Sequence, residues 1–486
     1  MSEIERSLHV MSLHTTPGDV WLPQELWERV VGHLPIDGRR TCLFVSRAFH
    51  DHAVRCLFST VHIFFGAWED YNVSNDAEEV GDTRSIMSFE ILRRIALDGS
   101  FAVVIKKVVV HAFTMGRGVF ERLNLIEALR RLHNLTSFTW LGLCPRLSSD
   151  VVDTLATSCP WLEQVSIPIP MRASLPLHRL IRLTSIILST WCEEEDEHYL
   201  DDDVEEIRRV IETNCGALKE MEINGRVFHA APVKNLSHLT HLELYDAVAE
   251  NLEPLLQHCP QLQSLMLFPR PNCISHFITM LASNKSSFPC LTSFKLVQDD
   301  GDTWMPAACD ISSLIEFLQA KPKMRRFDCK LYSTREILVP LLRALPTMKA
   351  LRILGLSLHF PEITQDDVQT FDPRFCATLT ALRLRLGSET TTVNKESVLS
   401  LWALFTQLQF TSLIFACATE LTVQELVQSG SGRLKLINYN GKMHPIERSD
   451  NDVEVLGPWS ERKSAFRSVD DLGEDDWDWV IRHYSA

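Results

Sequence analysis

An α/β solenoid, with one strand and one helix repeating along the chain and the strands forming a parallel sheet on its concave face, is the fold class this sequence predicts. Three observations predict it. The phrase L-x-x-L-x-L recurs from Phe58/Val61/Ile63 through Leu242/Leu244, Leu265/Leu267 and Phe294/Leu296 to Leu434/Ile437/Tyr439. The alternation closing each phrase is the period-two pattern of a half-buried strand. Helical stretches such as Val151–Ala156 and Leu252–Leu256 lie between phrases. The spacing, roughly 21 to 35 residues, leaves room for one strand–helix unit per copy, each covering the next.

The elements follow in order. Residues 1–20 carry early acidic residues and no continuous apolar run, which predicts a disordered tail and not a secretory signal. Residues 21–60 predict three short helices. Leu22-Pro23 suits a first helical turn, where proline's missing N–H would be unpaired anyway. Leu22, Leu26, Val30 and Leu34 recur every fourth residue as one apolar stripe, Pro35 ends it, and Val45, Phe49, Ala53 and Leu57 form a second. The repeats occupy residues 61–445. They include the copies Leu162/Val165/Ile167, Met324/Phe327/Cys329, Met348/Leu351/Ile353, Leu379/Leu382/Leu384 and Phe410/Leu413/Phe415. An acidic run at 193–206 reads as a solvated insertion between repeats. Residues 446–486 are acidic and carry Trp477, Trp479 and Tyr484, which predicts folding back over the last repeat. Asp299-Asp300-Gly301-Asp302 lacks the alternating ligands and final glutamate of a calcium loop and reads as a turn.

Two resemblances carry the functional expectation. Leu22-Pro23-Gln24-Glu25-Leu26, then Leu34-Pro35, then Val45-Ser46-Arg47-Ala48-Phe49 resemble the three blocks of an F-box at that family's spacing. The chain departs from the pattern at Gly38-Arg39 and at Ser46; Arg39 places a charge where an apolar contact is expected. Cys159-Pro160, Cys215-Gly216 and Cys259-Pro260 each end a helix before a strand, as in the cysteine-containing leucine-rich repeats that the remainder resembles. Together these imply a non-catalytic substrate receptor of a ubiquitin ligase. Leu22, Pro23, Glu25, Leu26, Val30, Leu34, Pro35, Val45 and Phe49 would then contact a Skp-type adaptor, through it a cullin, and the repeats would hold a protein target. The alternative is a leucine-rich-repeat scaffold outside the ubiquitin system, whose N-terminal helices only cap the solenoid.

Specificity is expected from side chains alternating with the core leucines. The middle copies offer Glu220, Glu222 and Glu243, with His241 and Tyr245; later ones offer Lys295, Arg326, Lys330, Arg352, Arg383 and Arg385. Arginine's planar fork suits carboxylate and phosphate oxygens, so the basic run predicts an acidic or phosphorylated target segment. Internal pairing with Asp328 is the competing use of these cations.

Composition bounds the rest. In 486 residues there are no phosphate-binding glycine loops, no H-E-x-x-H and no G-x-S-x-G, and the 18 histidines lack metal spacing, so neither catalysis, a metal nor a cofactor is expected. Thirteen cysteines without a C-x-x-C pair suit a reducing cytoplasmic or nuclear setting. A net charge of −15 argues against nucleic-acid partners, and no apolar run approaches the ~20 residues that span a membrane.

Overall fold

The computed structural model describes residues 23–484, apart from 67–75, 114–117, 170, 172–174, 191–199, 230, 299–306, 332–333, 359–362, 388–393, 417–418, 450–451, 466 and 468. The expected N-terminal tail at 1–20, Leu22, the first half of the acidic run (193–199) and the Asp299–Asp302 turn therefore lie outside the described residues. The chain divides into two compact units. The first comprises Met1–Arg146 with Asp153–Leu162, and the second Leu147–Val152 with Glu163–Ala486.

The first unit begins with three short helices, α1 (Gln24–His33), α2 (Ile36–Cys42) and α3 (Arg47–Phe58). Pro23 and Pro35 stand at the N-caps of α1 and α2, and the Ser46 hydroxyl caps α3 by accepting from Phe49 N at 3.3 Å. Their shared interior is small: Val31, Cys42 and Ala53 are buried, with Leu34, Leu43, Phe49 and Leu57 packed against them. Arg39 lies half-buried and donates to Leu34 O at 2.8 Å and Gly32 O at 2.7 Å. Its charge is spent on the unpaired carbonyls ending α1, where a cation is favoured. Parallel strands follow: β1 (Thr60–Phe65), β2 (Lys107–Phe113) and β3 (Ser137–Cys144). Helices α4 (Asp76–Leu97) and α5 (Val119–Leu129) lie between them in sequence.

The second unit is a leucine-rich-repeat solenoid. Its parallel strands are β4 (Gln164–Ile169), β5 (Ser185–Thr190), β6 (Glu220–Asn224), β7 (His241–Ala247), β8 (Ser264–Pro269) and β9 (Ser293–Val297). They continue as β10 (Arg326–Lys330), β11 (Ile353–Leu358), β12 (Ala381–Leu386), β13 (Phe410–Phe415) and β14 (Leu436–Tyr439). Each pairs in parallel with the next. The register is the sequence phrase made visible. Leu242, Leu265, Phe294, Phe327, Leu354 and Leu382 stand side by side, all buried against the helices.

Small side chains lock the repeats together. Thr184, Thr240, Thr292 and Thr380, each just before a strand, donate from the hydroxyl to the carbonyl of the preceding repeat, as Thr240 does to Lys219 O at 3.0 Å. Cys259 Sγ lies 3.6 Å from Leu236 O, and burial pushes its thiol up to about 12, so it acts as a small apolar filler.

Two expectations are corrected here. The acidic run is partly a folded element, because helix α6 (Leu200–Asn214) includes Asp201–Glu206. Asp203 is buried in it, accepting from Met171 N at 2.7 Å, and Glu206 accepts from His178 N. The last repeat is followed by an antiparallel hairpin, β15 (Lys442–Ser449) and β16 (Asp452–Val455). That leaves the C-terminal segment free to lie on the strand face.

Candidate functional site

The strand face of the second unit reads as a row of side chains. Register aligns Ile187, Glu222, Glu243, Met266, Lys295, Asp328, Gly355, Arg383, Ser412 and Asn438 across β5 to β14. A second row, two residues earlier in each strand, runs Glu220, His241, Ser264, Ser293, Arg326, Ile353, Ala381, Phe410 and Leu436. The first row is mostly polar, while the second turns apolar from Ile353 onward.

A short C-terminal helix, α7 (Asp475–Ile481), covers this face. Trp477, Trp479, Val480 and Ile481 are buried with Met266, Ile353, Ala381, Phe410, Leu436 and Met443. The Trp477 ring stacks on Phe410 with centroids 5.3 Å apart. At its start, Asp476 accepts from Arg326 Nε at 2.7 Å and from Arg325, and Asp475 accepts from Arg326 Nη2 at 2.6 Å. At its end, Lys295 Nζ donates to Trp479 O at 2.6 Å and Arg482 O at 3.1 Å, where the helix's unpaired carbonyls favour a cation. Tyr484 lies under the Arg383 guanidinium, 3.8 Å from ring centroid to Cζ.

Beneath this segment sits a fully buried charge trio. Arg383 Nη2 donates to Asp328 Oδ1 at 2.8 Å, and Lys295 Nζ lies 3.4 Å from Asp328 Oδ2, with all three side chains inaccessible. Burial raises the Asp328 carboxyl, but Arg383 and Lys295 outweigh it and hold it low; burial pushes Lys295 down to about 8. Arg383 and Asp328 are separated by the intervening strand β11, where register places Gly355 between them. A Cβ there would overlap the Asp328 carboxylate, so glycine is the window through which the pair forms.

The other end of the segment meets the acidic strands. Burial and the Glu243 charge push Glu222 up to about 8. Burial raises Glu243 too, yet the facing His483 and Arg482 charges hold it at about 2, so the pair keeps one proton on Glu222. Tyr245 donates to Glu243, so His483 Nδ1, 2.8 Å from the Tyr245 hydroxyl, must donate while its Nε2 faces Glu243. Burial pushes the ring's protonation down, while the Glu243 charge opposes that push. A cavity of about 310 Å³ remains between Glu220, Glu222, His241 and Glu243 on the strands and Asp475, Trp479 and Arg482 above them. The fit is imperfect elsewhere: Arg383 Nε and Nη1, Ser357 Oγ, Asn438 Oδ1 and Trp479 Nε1 are buried without a hydrogen-bond partner among the described residues. Such groups typically cost ~1–3 kcal/mol each.

The basic residues expected to meet a target are therefore engaged within the chain. Lys295 and Arg383 are fully buried, and Arg326 is paired to Asp475 and Asp476. Lys330 is buried with its Nζ 5.8 Å from the Tyr484 ring centroid, and Arg385 is half-buried one row further on, opposite Ser357. Arg352 is a correction. Register pairs Phe327 with Leu354, so the core phrase of that repeat is Leu351/Leu354/Leu356, three residues later than Met348/Leu351/Ile353. A slip by an odd number of residues reverses which face a side chain takes. Ile353 and Gly355 occupy the strand face, while Arg352 precedes β11 and bonds to Lys349 O and Leu351 O. Phe410 is likewise no core leucine equivalent but the platform for Trp477. Asp328 was named from sequence only as an internal partner for the basic run, and it pairs with Lys295 and Arg383; Gly355, Asp475 and Asp476 were not singled out, the paired indoles flanked by acids being the only signal for the last two.

In the first unit, Leu26, Val30, Ile36, Phe44 and Val45 are exposed, Phe44 to 88%. Pro23 and Pro35 are also exposed, and the side chain of Glu25 lies outside the described ones. Leu34 and Phe49 turn inward instead, Phe49 meeting Trp27 edge-on at 5.1 Å. The sequence thus named seven described positions on these helices, of which two are interior packing.

Fold and face together define a leucine-rich-repeat protein whose strand surface is occupied by its own C-terminal segment. No family's sequence model matches the chain, and no curated protein matches it in sequence. Among solved structures it is similar to yeast Rad7 in its complex with Elc1 (12% identity, 82% of this chain and 90% of that one, TM-score 0.37). It is also similar to human 5T4, the trophoblast glycoprotein (17% identity, 41% of this chain and 70% of that one, TM-score 0.26). At these scores the fold rests on the strand register and not on either likeness.

Proposed function

We propose that the chain is a non-catalytic substrate receptor of a ubiquitin ligase. The N-terminal helices dock a Skp-type adaptor, and the repeats hold a protein target. The observation that carries this is the apolar surface on α1–α3. Leu26, Val30, Ile36, Phe44 and Val45 lie exposed on a unit whose own interior is only a few side chains. Solvent-facing apolar side chains so grouped mark a contact surface. Leu26 and Val45 belong to the blocks that resemble an F-box. The receptor would act by effective concentration, holding a target lysine near a ubiquitin carrier brought by the cullin. Arg39 does not oppose docking, since its guanidinium is bound to α1 carbonyls. A plain capping module would turn these side chains inward, which disfavours the scaffold alternative. Val30→Asp with Val45→Asp should abolish co-purification with a recombinant adaptor while leaving the circular-dichroism spectrum unchanged. Undiminished binding by the double variant overturns the reading.

A further inference from the structure

The strand face of the second unit has the chemistry of a recognition site, with the C-terminal segment as its resident occupant. A permanent interior at this position would be apolar. Instead Glu222, Glu243, Lys295, Asp328, Arg383, Ser412 and Asn438 stand in one row under the segment, some with buried atoms unpaired. Natural interiors pair nearly all such groups. The occupant matches the face chemically along its length: carboxylates on Arg325 and Arg326, an indole on the Phe410–Ile353–Leu436 strip, a tyrosine under Arg383. It is also locally weak. Helix α7 has seven residues, no side-chain N-cap and a left-handed Gly473 just before it (φ +82°), so little besides docking keeps it helical. The residues leading to it, from Gly457 to Lys463, are largely exposed.

We infer that this face binds, in trans, a helical segment of a partner protein bearing adjacent carboxylates followed by paired aromatic side chains, and that residues 475–484 occupy the same site in cis until displaced. This rests on the repeats being a capture surface and is independent of adaptor docking. A segment that pairs Arg383, Ser357 and Asn438 as well as Arg326 would outcompete the resident one, because groups left unpaired now would be satisfied.

The probe is a labelled synthetic peptide of residues 470–484, added to the full chain and to its Trp477→Ala/Trp479→Ala variant. The variant is expected to bind it saturably, the wild type at least ~10-fold more weakly, since the cis occupant competes at high effective concentration. Adding Arg326→Glu to the variant should weaken binding by a further ~10-fold or more, as expected for losing a charge-assisted pair. No binding by the folded variant, or equal binding of a peptide carrying Asp475→Lys and Asp476→Lys, overturns the inference. Should the variant not fold, amide exchange on the wild type decides. Amides of 477–482 must exchange at least ~100-fold faster than those of β9–β12, and exchange only by global unfolding would make the segment permanent core. A stable dimer formed by mixing wild type and variant would make a second copy's tail the occupant, and overturn the partner assignment. Adaptor co-purification, measured on the same proteins, fails separately if the receptor reading is wrong.

Discussion

The two units treat polarity in opposite ways. Of fifteen exposed large apolar side chains among the described residues, all but Ile181 and Val469 belong to the first unit. The second unit does the reverse and buries charge: Lys295, Asp328 and Arg383 are inaccessible, and Glu243 and Asp476 nearly so. Apolar surface left in water costs about 25 cal/mol per Å² relative to burial, and charge taken from water costs more unless paired. Each unit therefore carries an unfavourable term that a contact relieves. In the second the contact is already made by residues 475–484; in the first nothing described within the unit covers α1–α3. The contrast separates a surface awaiting a partner from one with an internal stand-in.

The largest expected effect tests how tightly the second unit depends on its buried charges. Gly355→Ala should destabilise it by about 3–5 kcal/mol, the usual cost of breaking a buried ion pair from one side. The added methyl collides with an Asp328 carboxylate that Lys295 and Arg383 pin, so the acid cannot swing away cheaply. Chemical denaturation measures it, and the same substitution in an Asp328→Ala background should cost far less. A cost below about 1 kcal/mol in both backgrounds would mean the trio contributes little, and that the polar row is tolerated and not used.

The fold was legible because its signal is periodic. Leu242, Leu265 and Phe294 repeat at strand spacing, and a parallel register follows from that alone. Arg352 was misplaced because Leu351, Ile353 and Leu354 are all apolar, so the pattern fits two registers there and only neighbouring strands choose between them. The covering segment was legible as aromatic and acidic but not in position. Which strands Asp476 and Trp477 meet depends on a path of some twenty residues past the hairpin, and no local propensity encodes that. Leu34 and Phe49 fell on the expected stripes yet pack inward, since three helices present more than one apolar stripe and the unit must fill its interior first.

The intermediate effect is a pH dependence. Glu222 is held at about 8 when folded, against an ordinary carboxyl near ~4.3, so the folded chain keeps a proton that the unfolded chain releases. The associated stability is fully present below ~4.3 and is lost as pH rises to about 8. Lys295, pushed down to about 8, acts from about pH 7 upward with the opposite sign, and His241, shifted below its ordinary value, acts below ~6.5. Between pH 7 and 8 Lys295, Lys321 and the buried cysteines also contribute to the slope, so Glu222 is isolated by the difference between wild type and Glu222→Gln and not by the slope itself. Glu222→Gln should make the slope shallower and raise stability at pH 8 by on the order of 2 kcal/mol. Melting temperatures of both proteins at pH 7 and pH 8 measure it. Parallel decreases in the two would place the buried proton elsewhere than on the strand face.

The smallest expected effect belongs to the first unit. Ile36→Ser and Phe44→Ser remove apolar side chains that are 55% and 88% exposed, so each should alter stability by no more than about 0.5 kcal/mol. Neither site leaves a cavity or an unpaired group, which are the usual sources of large losses. Val31→Ser on α1 is the internal control: Val31 is fully buried with Cys42 and Ala53, and its replacement should unfold the helices at a much lower denaturant concentration. Limited proteolysis between residues 24 and 58 reads both. If Phe44→Ser proved as damaging as Val31→Ser, the side chain would be packed within the chain, α1–α3 would offer no free apolar surface, and the difference between the two units would vanish.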